Sequence, residues 1–215
     1  MGRLTLIRHG QASFGEKNYD SLSDLGRQQG KLLGEHFKKQ NIIFDQVFCG
    51  DLARQIGTTQ AINFEHDPVI LKGLNEYKAD VLIQSYFSGD VPPEILQDKK
   101  QYFKIIRVAL QKVQDNKLKN LKNYWQDFRQ GVLDSLKTMT ENTECNTLAI
   151  TSGGPISLIV SEVLKSTPRT MIDLNLQIKN TSITKIIVTK KKLYLNEFNS
   201  TPHLINSNSK MITYS

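Results

Sequence analysis

The chain has 215 residues, 39% of them hydrophobic and 23% charged, with a formal net charge of +7 and a pI near 9.3. That length suits one domain, or one domain with an insertion, around a buried core, and the composition is ordinary for a globular protein. No run approaches the ~18 apolar residues of a membrane span. The lysines fall in short groups (Lys38-Lys39, Lys99-Lys100, Lys190-Lys191-Lys192), without the interleaved aromatics that track a nucleic-acid strand. Neither a membrane nor a nucleic acid is expected as a partner, although the positive charge favours anionic ligands.

The first apolar run, Arg3 to Ile7, is β-branched and short enough for a buried strand. It also falls short of the apolar centre of a secretory leader, because Arg8 interrupts it after five residues, so a cytoplasmic location is expected. The run stops on Arg8 and His9, followed by Gly10. A strand that delivers charged groups at its carboxyl end and turns on glycine is a common site-builder in an open α/β sheet. Arg8 offers a planar five-donor fork suited to phosphate or carboxylate. His9 is a nucleophile or proton carrier near neutral pH. A solvated Arg–His pair in a turn explains the dipeptide equally well.

Gly15 to Asp20 reads as loop, and Ser21 to Asp24 supplies caps for a helix over roughly 24–39, with Leu25, Leu32, Leu33 and Phe37 on one face and His36 beside it at the surface. A short strand follows at Asp45–Cys49, and Gly50-Asp51 opens a second helix whose inner stripe is Leu52, Ile56, Thr59 and Ile62/Asn63. Arg54 lies in its first turn, where a cation opposes the helix dipole unless an anion compensates. Cys49 and Cys145 lack metal-ligand spacing; both are expected as thiols, Cys49 buried, and no metal or cofactor is expected.

Val69–Leu74 is another short apolar run, ending at Asn75-Glu76, and His66 just before it reads as surface loop. Residues 77–143 differ: Pro92-Pro93 breaks the chain and two long helical patterns follow. One carries Ile95, Tyr102/Phe103, Ile106, Leu110 and Val113, the other Leu118, Leu121, Trp125, Phe128, Val132 and Leu136. They predict a helical cap or insertion, with the Trp and Phe stripe as packing. The sheet resumes at Thr147–Thr151; Ser152-Gly153-Gly154 turns, and Pro155 suits the first turn of a helix. Backbone N–H groups at that helix start form a ready anion site. Strands at Ile183–Val188 and Lys192–Phe198 close the chain. The fold class is thus α/β, a three-layer sandwich with a mostly parallel sheet plus the helical cap.

In a parallel sheet, Arg8-His9, the Gly50–Arg54 turn and Ser152–Pro155 share the carboxyl rim, where such folds place ligands. Two guanidinium forks there neutralise a phosphoryl group, a neutral imidazole attacks phosphorus and a carboxylic acid protonates the leaving oxygen.

These stretches closely resemble the histidine phosphatase (phosphoglycerate-mutase-like) superfamily. Arg8-His9-Gly10, followed by Gln11, matches its first-strand signature. Leu22-Ser23-Asp24-Leu25-Gly26-Arg27-Gln28-Gln29, Gly50-Asp51-Leu52-Ala53-Arg54, Leu74-Asn75-Glu76 and Asn180-Thr181-Ser182-Ile183-Thr184 resemble later family segments in order. The resemblance implies that His9 takes the phosphoryl group as phosphohistidine, that Arg8 and Arg54 hold its oxygens, that Glu76 is the acid and that no metal takes part. Gln11, Ser152 and Gly153 are expected to join the phosphate-binding set.

One departure stands out. The family carries Ser-His-Gly-Gly where this chain reads Thr151-Ser152-Gly153-Gly154, so a serine stands where a second histidine is expected. A hydroxyl donates one hydrogen bond but brings no charge. Restoring a histidine there is expected to raise catalysis, provided the ring fits. His36, His66 and His203 are not assigned as replacements. Glu76 runs straight into Tyr77-Lys78-Ala79-Asp80, without a mutase's longer substrate-recognition stretch, which argues against a phosphoglycerate mutase. The expected function is phosphomonoester hydrolysis on a small phosphorylated substrate, with inorganic phosphate as ligand. The alternative is a phospho-ligand-binding member with little or no turnover.

Overall fold

The structure is a computed structural model that describes residues 1–13, 20–64, 67–205 and 209–214. Most of the loop expected at Gly15 to Asp20, and His66, lie outside the described residues.

Strand β1 (Gly2–Arg8) leads through Ser23, whose side chain accepts from the Gly26 amide, into helix α1 (Asp24–Lys39). Strand β2 (Gln46–Cys49) leads to helix α2 (Ala53–Ile62) and the two-residue strand β3 (Val69–Ile70), followed by a 3₁₀ turn at Lys72–Leu74. Next come α3 (Ala79–Tyr86), α4 (Pro93–Gln97), α5 (Lys99–Gln114) and α6 (Lys122–Met139). The first long helical pattern is therefore split: Asp98 accepts from the Lys100 and Gln101 amides and starts a new helix there. Strand β4 (Asn146–Thr151), helices α7 (Gly153–Val163) and α8 (Pro168–Asn175), and strands β5 (Ile183–Val188) and β6 (Leu193–Ser200) complete the order.

The six-stranded sheet has the order β3-β2-β4-β1-β5-β6. Strands β1, β2, β3 and β4 are mutually parallel, whereas β5 runs antiparallel to both its neighbours. The register pairs Arg8 with Thr151 and Cys49 with Ile150, so the carboxyl ends of β1, β2 and β4 reach one rim.

Alternation along β1 divides the core. Ile7 joins Leu33, Phe37, Ile62 and Ile150 beneath α1 and α2. Leu4 and Leu6 join Leu110, Val132, Ile156 and Met171 beneath the remaining helices. Trp125 and Phe128 pack with Tyr77 against this second core, ring centroids 5.8 Å apart for Tyr77–Phe128, in keeping with a packing stripe. Among the described residues no helix is long and apolar enough to cross a membrane.

Two inner faces differ from the simple apolar pattern. In α1 the buried set is Gly26, Gln29, Gly30, Leu33, Gly34 and Phe37. A Cβ on Gly34 would strike the Ile62 carbonyl, so glycine lets α1 approach the backbone of α2. In α2 the buried residues are Gln55, Thr58, Thr59 and Ile62, while Leu52 and Ile56 are only half-buried. The polar stripe turns inward because it satisfies backbone groups in the segments that follow β1 and β3: the Gly10 amide donates to Thr58 Oγ1, and Gln55 Nε2 donates to the Leu74 carbonyl.

Candidate active site

A cavity of about 660 Å³ opens at the carboxyl rim, and Arg8, His9, Arg54 and Glu76 all line it. Four of the expected site residues therefore meet in one place, although 67 positions separate His9 from Glu76 in the chain, counted from their numbers.

His9 is 4% exposed, and its Nδ1 lies 2.7 Å from the Gly10 carbonyl. A carbonyl only accepts, so Nδ1 carries the proton and the Nε2 lone pair is left for the cavity. Arg54 Nε donates to that Nε2 over 3.1 Å. Asn180 Nδ2 donates to the His9 carbonyl over 3.0 Å and holds the backbone of the residue. Burial, then the guanidiniums of Arg54 and Arg8, drive the His9 pKa well below its usual value, against the opposing hydrogen bond to Gly10. The ring is therefore neutral at ordinary pH.

Arg54 stands on the first turn of α2 with its expected compensating anion. Its Nη1 lies 2.5 Å from Asp20 Oδ1, while Asp20 Oδ2 accepts from the Ala53 amide over 2.9 Å. Arg8 donates through Nη1 to the Ile178 carbonyl and, over 3.1 Å, to the Tyr214 carbonyl.

Glu76 takes the place foreseen for a bound anion at the start of α7. The Gly154 amide lies 3.1 Å from both of its carboxyl oxygens, and the Tyr77 amide 3.2 Å from Oε1. Gly154 permits this approach, because a Cβ there would fall on the carboxyl oxygen. Burial raises the Glu76 pKa, opposed by the Gly154 N–H and by Arg54 and Arg8. The free helix N-terminus of the sequence reading is thus filled by the chain itself.

Ser152, Gly153 and Gln11, expected as phosphate ligands, are placed differently: none is among the described residues lining the cavity. Ser152 is fully buried and accepts from Gln55 Nε2 over 2.9 Å. Gly153 is buried at the start of α7 beneath Asn175. Gln11 turns its side-chain oxygen to Ser23 Oγ, 2.9 Å away. His203 also stands off the cavity, its Nε2 2.9 Å from Thr181 Oγ1.

Sequence reasoning gave no site role to Asp20, Tyr214, Asn175, Tyr102 or Phe103, nor to Asn180, which it quoted only within a family-like segment. The one available signal was the uncompensated cation at the start of α2, which asks for an acid without saying which. Among the described residues no three His, Cys, Asp or Glu side chains converge as a metal site.

A family model of the histidine phosphatase superfamily (branch 1) matches residues 4–201. Among solved structures, a phosphoserine phosphatase mutant from Entamoeba histolytica, in complex with phosphoserine, is similar at 22% identity, covering 95% of this chain and 100% of that one, with a TM-score of 0.60. A putative alpha-ribazole-5'-P phosphatase from Escherichia coli is similar at 20% identity, covering 93% and 96%, with a TM-score of 0.63. Phosphoglycerate mutase from Bacillus anthracis shares 17% identity over 94% of each chain, with a TM-score of 0.64. These likenesses carry the fold, and the family match carries the identity: the chain belongs to branch 1 of the histidine phosphatase superfamily and is an enzyme of the histidine phosphatase class.

Proposed function

We propose that this protein is a cytoplasmic, metal-independent phosphomonoester hydrolase acting through phosphohistidine at His9 on a small phosphorylated substrate. The observation that carries the reading is the hydrogen bond from His9 Nδ1 to the Gly10 carbonyl, which leaves the Nε2 lone pair in the cavity beside Arg54. Nε2 attacks phosphorus as the ester P–O bond breaks. Arg8 and Arg54 take up the charge on the phosphoryl oxygens. Neutral Glu76, its pKa raised by burial, gives its proton to the leaving oxygen. The resulting carboxylate takes a proton from water, whose oxygen attacks phosphorus. The N–P bond then breaks, its electron pair returns to Nε2, and inorganic phosphate departs.

Substrate entry requires Arg54 to move from His9 Nε2 to the phosphoryl oxygens. Ser152 contributes here by holding Gln55 rather than by touching phosphate.

The test is rapid quench with a ³²P-labelled ester in the presence of EDTA. Acid-labile, base-stable label is expected on wild-type protein and none on His9→Ala. Full turnover by His9→Ala, or loss of wild-type activity to the chelator, removes this mechanism.

A second reading, a phospho-ligand binder with little turnover, draws on the uncharged Ser152 and on Arg54 being engaged by Asp20. Tight vanadate binding without hydrolysis of any ester would favour it.

A further inference from the structure

We propose that the chamber beyond the phosphoryl end of this cavity receives an aromatic or extended apolar alcohol without a carboxylate, which names the substrate class and rests on the phosphatase reading above. At about 660 Å³ the cavity falls in the range of small-molecule sites and is far larger than a phosphoryl group. Helix α5 contributes Tyr102, Phe103 and, one turn on, Ile106 to the wall, and Tyr77 and Leu176 continue it. The Tyr102 and Phe103 rings meet edge to face with centroids 5.6 Å apart. Both are only half-buried, so they pack against the core and still present ring surface to the cavity. A third ring or an alkyl chain entering there loses water-exposed apolar surface and finds edge and face partners.

The charges in the wall point the same way. The described lining contains three cations, Arg8, Arg54 and Lys78, and three acids, Asp20, Glu76 and Asp80. Arg8 and Arg54 flank His9 and serve the phosphoryl group. Lys78 is exposed, and an exposed lysine in high dielectric holds a carboxylate weakly. A substrate carboxylate in the chamber thus leaves water for an apolar wall, and once Arg8 and Arg54 hold the phosphoryl group the described lining offers it no cation but the exposed Lys78. Compact phospho-acids bear that desolvation cost uncompensated, while an uncharged apolar alcohol does not.

The experiment compares kcat/KM of the full chain on benzyl phosphate, glycerol 2-phosphate, phosphoserine and 3-phosphoglycerate, esters of alcohols with similar leaving ability. Benzyl phosphate is expected to lead the two carboxylated esters by at least about tenfold, the discrimination expected of an apolar pocket. Phe103→Ala is expected to raise KM on benzyl phosphate by roughly tenfold, with glycerol 2-phosphate changed less than about twofold. Phe103→Leu retains most of the preference, and circular dichroism verifies both folds. Should Phe103→Ala fail to fold, the wild-type ranking and Phe103→Leu carry the test. A carboxylated ester equal to or better than benzyl phosphate, or an equal loss on all four esters, overturns the inference alone. Turnover of none of the four removes the phosphatase reading, and this inference with it.

Discussion

Gln55 Nε2 donates to Ser152 Oγ over 2.9 Å, and the same nitrogen donates to the Leu74 carbonyl over 2.8 Å. One amide thus ties the end of β4 to the segment that carries Glu76, and both of its hydrogens are used. The hydroxyl standing where the family places a second histidine serves the scaffold behind the cavity.

Ser152→Ala is therefore expected to cost about 1 kcal/mol of stability, one neutral hydrogen bond, with kcat/KM falling less than about fivefold. The ring is not expected to fit there, since Ser152 is fully buried against Gln55. Ser152→His overpacks the site, at about 1–3 kcal/mol, and is expected to lower Tm without raising activity. Thermal melts and kinetics of both variants check this; a Ser152→His protein with unchanged Tm and higher kcat/KM would show that the ring reaches the phosphoryl group after all.

Under the proposed mechanism Asp20 competes with substrate for Arg54. Its carboxylate lies on Arg54 Nη1 and accepts the Ala53 amide, so an incoming phosphoryl group has to displace or share these donors. Asp20→Asn is expected to tighten competitive inhibition by inorganic phosphate or vanadate by about two- to fivefold, the worth of a partly exposed ion pair. Weaker inhibition would instead make Asp20 a positioning residue that Arg54 needs.

Glu76 holds its proton to a higher pH than an ordinary carboxyl, because burial outweighs the Gly154 amide and the two arginines. His9, by contrast, stays neutral well below pH 6.5. Hydrolysis of an alkyl phosphate is thus expected to fall as pH rises through the raised Glu76 pKa, not as His9 titrates. Glu76→Gln should flatten that limb and cost on the order of 10²–10⁴ in kcat on the alkyl ester, with a much smaller loss of phosphorylation rate from an aryl phosphate whose alcohol leaves unaided. Equal losses on both esters would deny Glu76 the role of acid.

His203 should make the fold acid-sensitive. Burial, with His36 nearby, pushes its pKa down to about 4, and Nε2 is held by Thr181 Oγ1. Between that value and the ordinary 6.5 the unfolded chain binds a proton that the folded chain refuses. Stability from this group is therefore present above about pH 6.5 and is lost as pH falls towards 4, with a slope approaching about 1.4 kcal/mol per pH unit. His9 acts in the same direction, whereas the raised pKa of Glu76 acts oppositely, favouring the folded state at the acid end of its own window. Urea melts from pH 4 to 8 should show a shallower acid-side slope for His203→Gln than for wild type. An unchanged slope removes His203 from this account.

Arg8, His9 and Arg54 could be singled out in the sequence because they sit at the end of β1 and the start of α2, where local pattern places them on one rim, whereas Glu76, between the 3₁₀ turn and α3, was singled out by the family resemblance of Leu74-Asn75-Glu76. The helices of 79–139 were legible by periodicity, apart from α3 and the break at Asp98; α8 was not read. On the inner face of α2 the expected Thr59 and Ile62 are buried, but Gln55 and Thr58 take the places expected for Leu52 and Ile56, because apolar spacing says nothing of the Gly10 amide and Leu74 carbonyl that need them. Only the tertiary structure decided what occupies each donor. Glu76 fills the amide at the start of α7, 78 positions away, Asp20 fills Arg54, and the Tyr214 carbonyl meets Arg8 across 206 positions. Contacts of that separation depend on the strand order β2-β4-β1-β5 and on glycines that let backbones close in, and no local periodicity encodes either.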